Sequence, residues 1–224
     1  MKQFKYALLT LAIVGQPLWA QDAKPAPAPL NANGDMEKWE DFSAKEPNKE
    51  PRVEGGQKPS GYWMSQSAYE AGKIPDFAVK GSIARDTQIK HGGEAAVRIE
   101  GGLPTDIVDI SLPPFAVAPN TKYLVKVWIK GQNIALNKDD GTGAAVWVNT
   151  GPEKDFWTHQ TSLLQQAAKK DGDFDWTPLE ITVDTAADTG MMVILLQLRR
   201  ASGTVWFDDL EVVPQEKPKV VESF

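Results

Sequence analysis

The chain contains no cysteine among its 224 residues. That excludes thiol nucleophiles, disulfides and cysteine-based metal centres, so an exported fold must be held by a large core, a bound metal, or both. Histidine is nearly absent too. His91 and His159 are the only two, and they do not stand in a metal-ligand spacing such as His-x-x-x-His. There is no Gly-x-Ser-x-Gly elbow and no phosphate-cradling loop. Positive charge is in the minority, with 24 basic against 30 acidic residues and a net charge of −6, which argues against nucleic acid or anionic lipid as a partner. Carboxylates are plentiful, so a two-carboxylate glycoside hydrolase is allowed by inventory, and a polysaccharide lyase using His or Tyr is conceivable. No motif marks either, and a non-catalytic protein is expected.

Some segments stand apart from the body of the chain. "MKQFKYALLTLAIVGQPLWA" carries Lys2 and Lys5, an apolar run from Tyr6 to Val14, and Ala20 before Gln21. This reads as a signal peptide (1–20); the run is too short to span a bilayer. The expected mature protein is exported to a bacterial periplasm or extracellular space, without a membrane span and with a net charge near −8 once two lysines are removed. A Pro/Ala-rich spacer (21–30) follows. "SAKEPNKEPRVEGGQKPSG" (43–61) reads as a long polar loop, and "PQEKPKVVESF" (214–224) as a C-terminal tail.

The remainder, 31–213, consists of short runs with period-two alternation bounded by turn residues. In "NTKYLVKVWIKG" Tyr123, Val125, Val127 and Ile129 oppose Leu124, Lys126, Trp128 and Lys130. "GAAVWVNT" sets Ala144, Val146 and Val148 against Trp147 and Asn149, and "MMVILLQLRR" sets Ile194, Leu196 and Leu198 against Val193, Leu195, Gln197 and Arg199. "AAVRIEG", "DIVDISL", "WTPLEITVD" and "TVWFDDLEVV" alternate similarly. The one helical pattern is "TSLLQQAAKK" (161–170), expected as a short helix inside a loop. Such a pattern predicts an all-β fold, an antiparallel β-sandwich.

"NGDMEKW" (33–39), "GYW" (61–63), "DTQIKHGGEAAVRI" (86–99), "PNTKYLVKVWIKG" (119–131), "DWTPLEITV" (175–183) and "GTVWFDDLEV" (203–212) follow one another in an order that resembles the jelly-roll, galactose-binding-domain-like carbohydrate-binding modules. The group in question opens with Asn-Gly-Asp-Phe-Glu, and Met36 stands here for the Phe. The resemblance implies a structural calcium ion joining the first strand to the last, with Glu37 and Asp208 as side-chain ligands, backbone carbonyls, and Asp86 as a further donor. Oxygen ligands of this kind suit a hard cation. It also implies core positions for Trp63, Trp176 and Trp206. The alternative for Asp208 and its neighbour Asp209 is a strand cap or bulge whose carboxylates accept loop amides. Strands ordinarily exclude Asp, and alternation sends at least one of the pair toward the core.

A saccharide needs flat aromatic surface beside planar polar groups. If the alternating aliphatic residues face the core, the opposite faces carry Trp128, Trp147, Arg98, Lys126, Gln197, Arg199 and Asn149, a groove if all belong to one sheet. Trp157 and His159 fall in a loop, where they bind or else anchor it. Tyr62 is a minor candidate, and Trp39 reads as packing. Loops long enough to cover the tryptophans leave two functional readings: a secreted glycan- or polysaccharide-binding protein with a Trp-bearing sheet face, or an adaptor of an envelope or extracellular assembly that binds a protein partner. Open or covered rings discriminate between them.

Overall fold

The computed structural model describes residues 30–43, 52–68, 81–139, 141–166 and 172–215. The expected leader, the spacer before Leu30 and the tail beyond Gln215 lie outside the described residues. In chain order the strands are β1 (Trp39–Asp41), β2 (Arg52–Glu54), β3 (Gln57–Pro59), β4 (Trp63–Ala68), β5 (Ser82–Asp86), β6 (Ala96–Gly101) and β7 (Asp106–Ser111). Then come β8 (Phe115–Ala116), β9 (Lys122–Leu136), β10 (Gly143–Gly151), a single helical turn α1 (Phe156–His159), and β11 (Thr161–Gln166). Three long strands close the described chain: β12 (Gly172–Asp184), β13 (Met191–Arg199) and β14 (Ala201–Pro214).

They form two six-stranded sheets and a small antiparallel pair of β1 with β3. The first runs β12-β9-β14-β6-β5-β2; the second runs β11-β10-β13-β7-β4, with β8 also paired to β13. All pairings are antiparallel except β2 with β5. The β-sandwich expected from the alternation is what the chain forms. Its core is built from the residues the period-two pattern turned inward. Val125, Val127, Ile129, Val97, Ile99 and Phe207 come from the first sheet, and Val146, Val148, Ile194, Leu196, Leu198, Val108 and Ile110 from the second, all in one buried cluster. Burying such side chains stabilises by roughly 1.5–3 kcal/mol each, which lets a disulfide-free chain fold.

One expectation is corrected, and one alternative is decided. Residues 161–166 are not helical: they form β11, paired with β10 from Ala145↔Gln166 to Thr150↔Thr161. The strand adds backbone hydrogen bonds at a sheet edge, which outweighs a weak helical pattern. The helix lies earlier, over the four residues of α1. The "DD" pair takes the bulge that the sequence allowed as its alternative. The β14–β9 register slips between Asp208 and Glu211, and Asp209 has φ 48°. This bulge inserts one residue, so Phe207, Leu210 and Val212 all reach the core, while Asp208, opposite Trp128, is buried on the outer side of the strand.

Candidate functional site

On the outer face of the second sheet, cross-strand register aligns side chains from four strands. One row runs Trp147–Leu195–Ser111–Trp63, and the next runs Ala145–Gln197–Asp109–Ser65. Their neighbours in sequence, Val146, Leu196, Ile110 and Met64, point to the core side. The first row thus places a tryptophan at each end, three strand spacings of about 4.8 Å apart. Trp147 is half-buried and the guanidinium of Arg199 lies 5.1 Å from its ring centroid. Trp63 is 51% exposed.

The second row is polar and sunk. Of its members Gln197 and Asp109 are buried, as is Ser111 of the first row. Ser65 Oγ donates to both Asp109 oxygens at 2.9 Å. Burial pushes the Asp109 carboxyl up to about 6, against the lowering influence of Ser65, Arg199 and Gln197. Among the described residues, three buried polar atoms on this face have no hydrogen-bond partner: Trp147 Nε1, Asn149 Oδ1 and Gln197 Oε1. An unpaired buried polar atom costs about 1–3 kcal/mol, so three together on one face call for partners such as ordered water.

Asp109 makes stability depend on pH in a defined direction. Its folded pKa lies above the ordinary value of 3.8, so its contribution is full below that value and is lost as pH rises through about 6. Asp109→Asn, which cannot ionise, is expected to gain about 2–3 kcal/mol relative to wild type between about pH 4 and pH 7. Urea unfolding of both proteins at the two pH values checks this; a constant gap rejects a perturbed Asp109.

Trp157 borders the same face. It is 58% exposed, and its ring centroid lies 6.4 Å from that of Trp63 at an interplanar angle of 31°. Buried Phe156 meets it edge-on at 5.0 Å and fixes its position. His159 is exposed in the same turn, and the turn closes when the amides of Thr158 and His159 donate to Asp155 O.

The expected groove therefore divides. Trp147, Asn149, Gln197 and Arg199 share the second sheet, and Trp157 sits at its border. Trp128, Arg98 and Lys126 lie on the outer face of the other sheet, because β9 and β6 belong to it. Alternation assigns a side chain to the inside or outside of a strand but carries no information on which sheet the strand joins. Trp128 is covered there by the His91 imidazole, stacked at 3.9 Å and 15°, with Lys126 Nζ 5.4 Å from its centroid. Arg98 is ion-paired with Glu54.

Of the three tryptophans expected in the core, Trp206 is buried, whereas Trp63 and Trp176 lie elsewhere. Trp63 is exposed, because Tyr62, 1% exposed, already takes the inward position beside it and consecutive strand residues alternate. Trp176 is half-buried and lies edge-on to His91. Trp206 is buried, but on the outer side of β14, donating from Nε1 to Asp86 Oδ2 at 2.8 Å. Trp39 packs against the core as expected, and Tyr62 is a core residue. The residues missed are Trp63, Asp109 and Ser65. Their alternation with Met64, Val108 and Ile110 was the available signal.

The carboxylates of the calcium expectation reach a common turn only in part. Glu37 Oε1 accepts from the amides of Glu94 and Ala95 at 2.8 and 3.4 Å. Asp208 Oδ2 accepts from His91 and Gly92 at 2.8 and 3.1 Å, and its Oδ1 from Asp209 N at 2.9 Å. Asp86 is committed elsewhere, to the amides of Gln88 and Ile89 and to Trp206. Among the described residues no three His, Cys, Asp or Glu side chains gather as a metal site. The carboxylate trio does not assemble; Glu37 and Asp208 alone converge on the 91–95 turn.

No family model matches the chain, and no curated protein matches it in sequence. Solved structures do resemble it. The enzymatically active domain of tailspike protein 4 from bacteriophage CBA120 aligns at a TM-score of 0.50 and 7% identity, over 70% of this chain and 20% of the tailspike chain. The likeness is one of fold. This chain spans about a fifth of that tailspike chain. Weaker similarities include a family 16 carbohydrate-binding module (TM-score 0.42, 19% identity, 62% of this chain and 89% of the module). Another is a CBM4 module (TM-score 0.44, 15% identity, 82% and 99%).

Proposed function

We propose that the protein is a non-catalytic glycan-binding protein that holds its ligand on the outer face of the second sheet. One observation carries the reading. Unpaired buried polar atoms of Trp147, Asn149 and Gln197 lie on one face, and the tryptophan row crosses that same face. The apolar C–H face of a pyranose stacks on an indole ring, while its hydroxyls both donate and accept. Gln197 Oε1, Asn149 Oδ1 and Asp109 as acceptors, and Trp147 Nε1 as a donor, lie just beneath this face, where ordered water would link them to ligand hydroxyls. A protein partner would leave small polar atoms sunk between strands unsatisfied more easily than a hydroxyl-rich ligand does, and this favours the glycan over the adaptor reading. A glycan and polysaccharide array probed with the purified protein tests it. Binding to one glycan class is expected, and a folded protein that binds none overturns it.

We also propose that calcium, supported by the convergence of Glu37 and Asp208 on the 91–95 turn, is held there as a structural ion. Their hard oxygens suit it, and backbone carbonyls would have to complete the shell. Calcium in excess is expected to raise Tm by several degrees over protein kept in chelator, through preferential binding to the folded state. Equal melting in both buffers would leave the turn amides as the only partners of these carboxylates.

A further inference from the structure

Among the described residues only Leu30, Trp63 and Trp157 are large exposed hydrophobics, and the two tryptophans are paired with each other. Scattered exposed apolar residues need no explanation, but adjoining ones mark an interaction site. A cavity of about 400 Å³ opens beside Trp157, lined by Pro114, Glu153, Phe156, Trp157 and Met191 among others. Pro114 and Met191 place it at the end of the second sheet, where the chain passes from β7 to β8 and β13 begins. The Trp147–Trp63 row runs across the strands. The step from Trp63 to Trp157 instead leads toward the strand ends, and the two rings are tilted by 31° rather than coplanar. The aromatic track therefore turns at Trp63.

Resting on the glycan reading above, we propose that Trp63, Trp157 and the cavity beside α1 form a second subsite that takes a sugar unit lying off the line of the strand-crossing row, so that the preferred ligand is a glycan that bends or branches at Trp63. A strand-to-strand step of about 4.8 Å is close to the advance of one pyranose unit, so a straight chain on the row passes Trp63 and leaves the sheet edge without meeting Trp157. A kinked chain, or a side-chain sugar, places a unit against the Trp157 ring. The shelf is preformed: Phe156 supports Trp157 from below, and Gln160 Nε2 donates to Trp157 O at 3.3 Å. Carboxylates of Glu153 and Asp155 line the cavity, which suits an uncharged, hydroxyl-donating unit over a uronate or sulfated one.

Calorimetric titration with three neutral oligosaccharides of similar length tests this: a straight β-1,4-glucan, a curved β-1,3-glucan and a branched xyloglucan fragment. Each is measured with wild type, Trp157→Ala, Trp157→Phe and Trp147→Ala. Because Trp157 is mostly exposed, its replacement leaves the fold intact, and the aromatic variant checks that a ring face is what matters. Trp157→Ala is expected to weaken the curved or the branched ligand about tenfold or more, with Phe restoring most of it, and to change the straight one less than about twofold. If Trp147→Ala abolishes binding while Trp157→Ala affects all three ligands equally or none, the second subsite is rejected and the sheet-face reading stands. If wild type binds none of the three, nor any glycan of the array, both fail together.

Discussion

Alanine at Trp147 is expected to lower affinity for the glycan found on the array at least about thirtyfold, or roughly 2 kcal/mol. Trp147 is one end of the cross-strand row, half-buried, with Arg199 over its ring and an indole nitrogen that has no hydrogen-bond partner among the described residues. Alanine removes the stacking surface and the donor in one step and frees Arg199 from the ring. Trp147→Phe separates these contributions, since it keeps a ring and loses only the donor; an intermediate loss is expected. The fold should survive, because Val146 and Val148, not Trp147, fill the core, and a preserved near-ultraviolet circular dichroism spectrum would establish that. The informative control is Trp128→Ala. The Trp128 ring is stacked under His91 on the opposite sheet, so its loss should affect stability more than binding. Wild-type affinity in Trp147→Ala, with loss in Trp128→Ala, would move the site to the other face.

That comparison shows how far the sequence carries. Inside and outside were legible strand by strand, because an aliphatic residue at every second position has one way to reach the core. Val125, Val146 and Ile194 were each placed correctly on that ground, and Trp147, Gln197 and Arg199 fell outside with them. Sheet membership was not legible. β9 and β10 are consecutive in the chain but join different sheets, and this is decided by long-range pairing that leaves no mark in either strand's own alternation. Trp128 and Trp147 were thus grouped although the thickness of the sandwich separates them. Trp63 was misread for a different reason. A similarity to known modules assigned it to the core, whereas two adjacent aromatics in an extended segment cannot both face inward, and Tyr62 is the one that does. The helix expected over 161–170 failed because propensity over a few residues is a weak signal beside a free sheet edge.

The other large effect concerns Asp208, whose carboxylate holds the turn from His91 to Gly92 onto the bulge of β14. It is fully buried and accepts three backbone amides. Burial raises its pKa to about 6, countered by the Gly92 and His91 amides, so at neutral pH it is ionised. Asp208→Ala leaves those three N–H groups without their acceptor in a site too enclosed for easy hydration. A loss of about 3 kcal/mol or more is expected, since a buried unsatisfied group costs about 1–3 kcal/mol and a charged acceptor is worth more than a neutral one. Asn at 208 should recover only part, because its amide nitrogen must face one of the same donors. The release has a local signature: the His91 ring that the turn carries is stacked on Trp128 and bonded through Nδ1 to Asp209 at 2.7 Å, so tryptophan fluorescence should change along with stability. Urea unfolding in chelator isolates the amide contribution from any bound ion, and the same experiment in calcium measures what the ion adds. A loss below about 1 kcal/mol in chelator would mean that the three amides find water in the variant, and that Asp208 is kept by the ion and not by the turn.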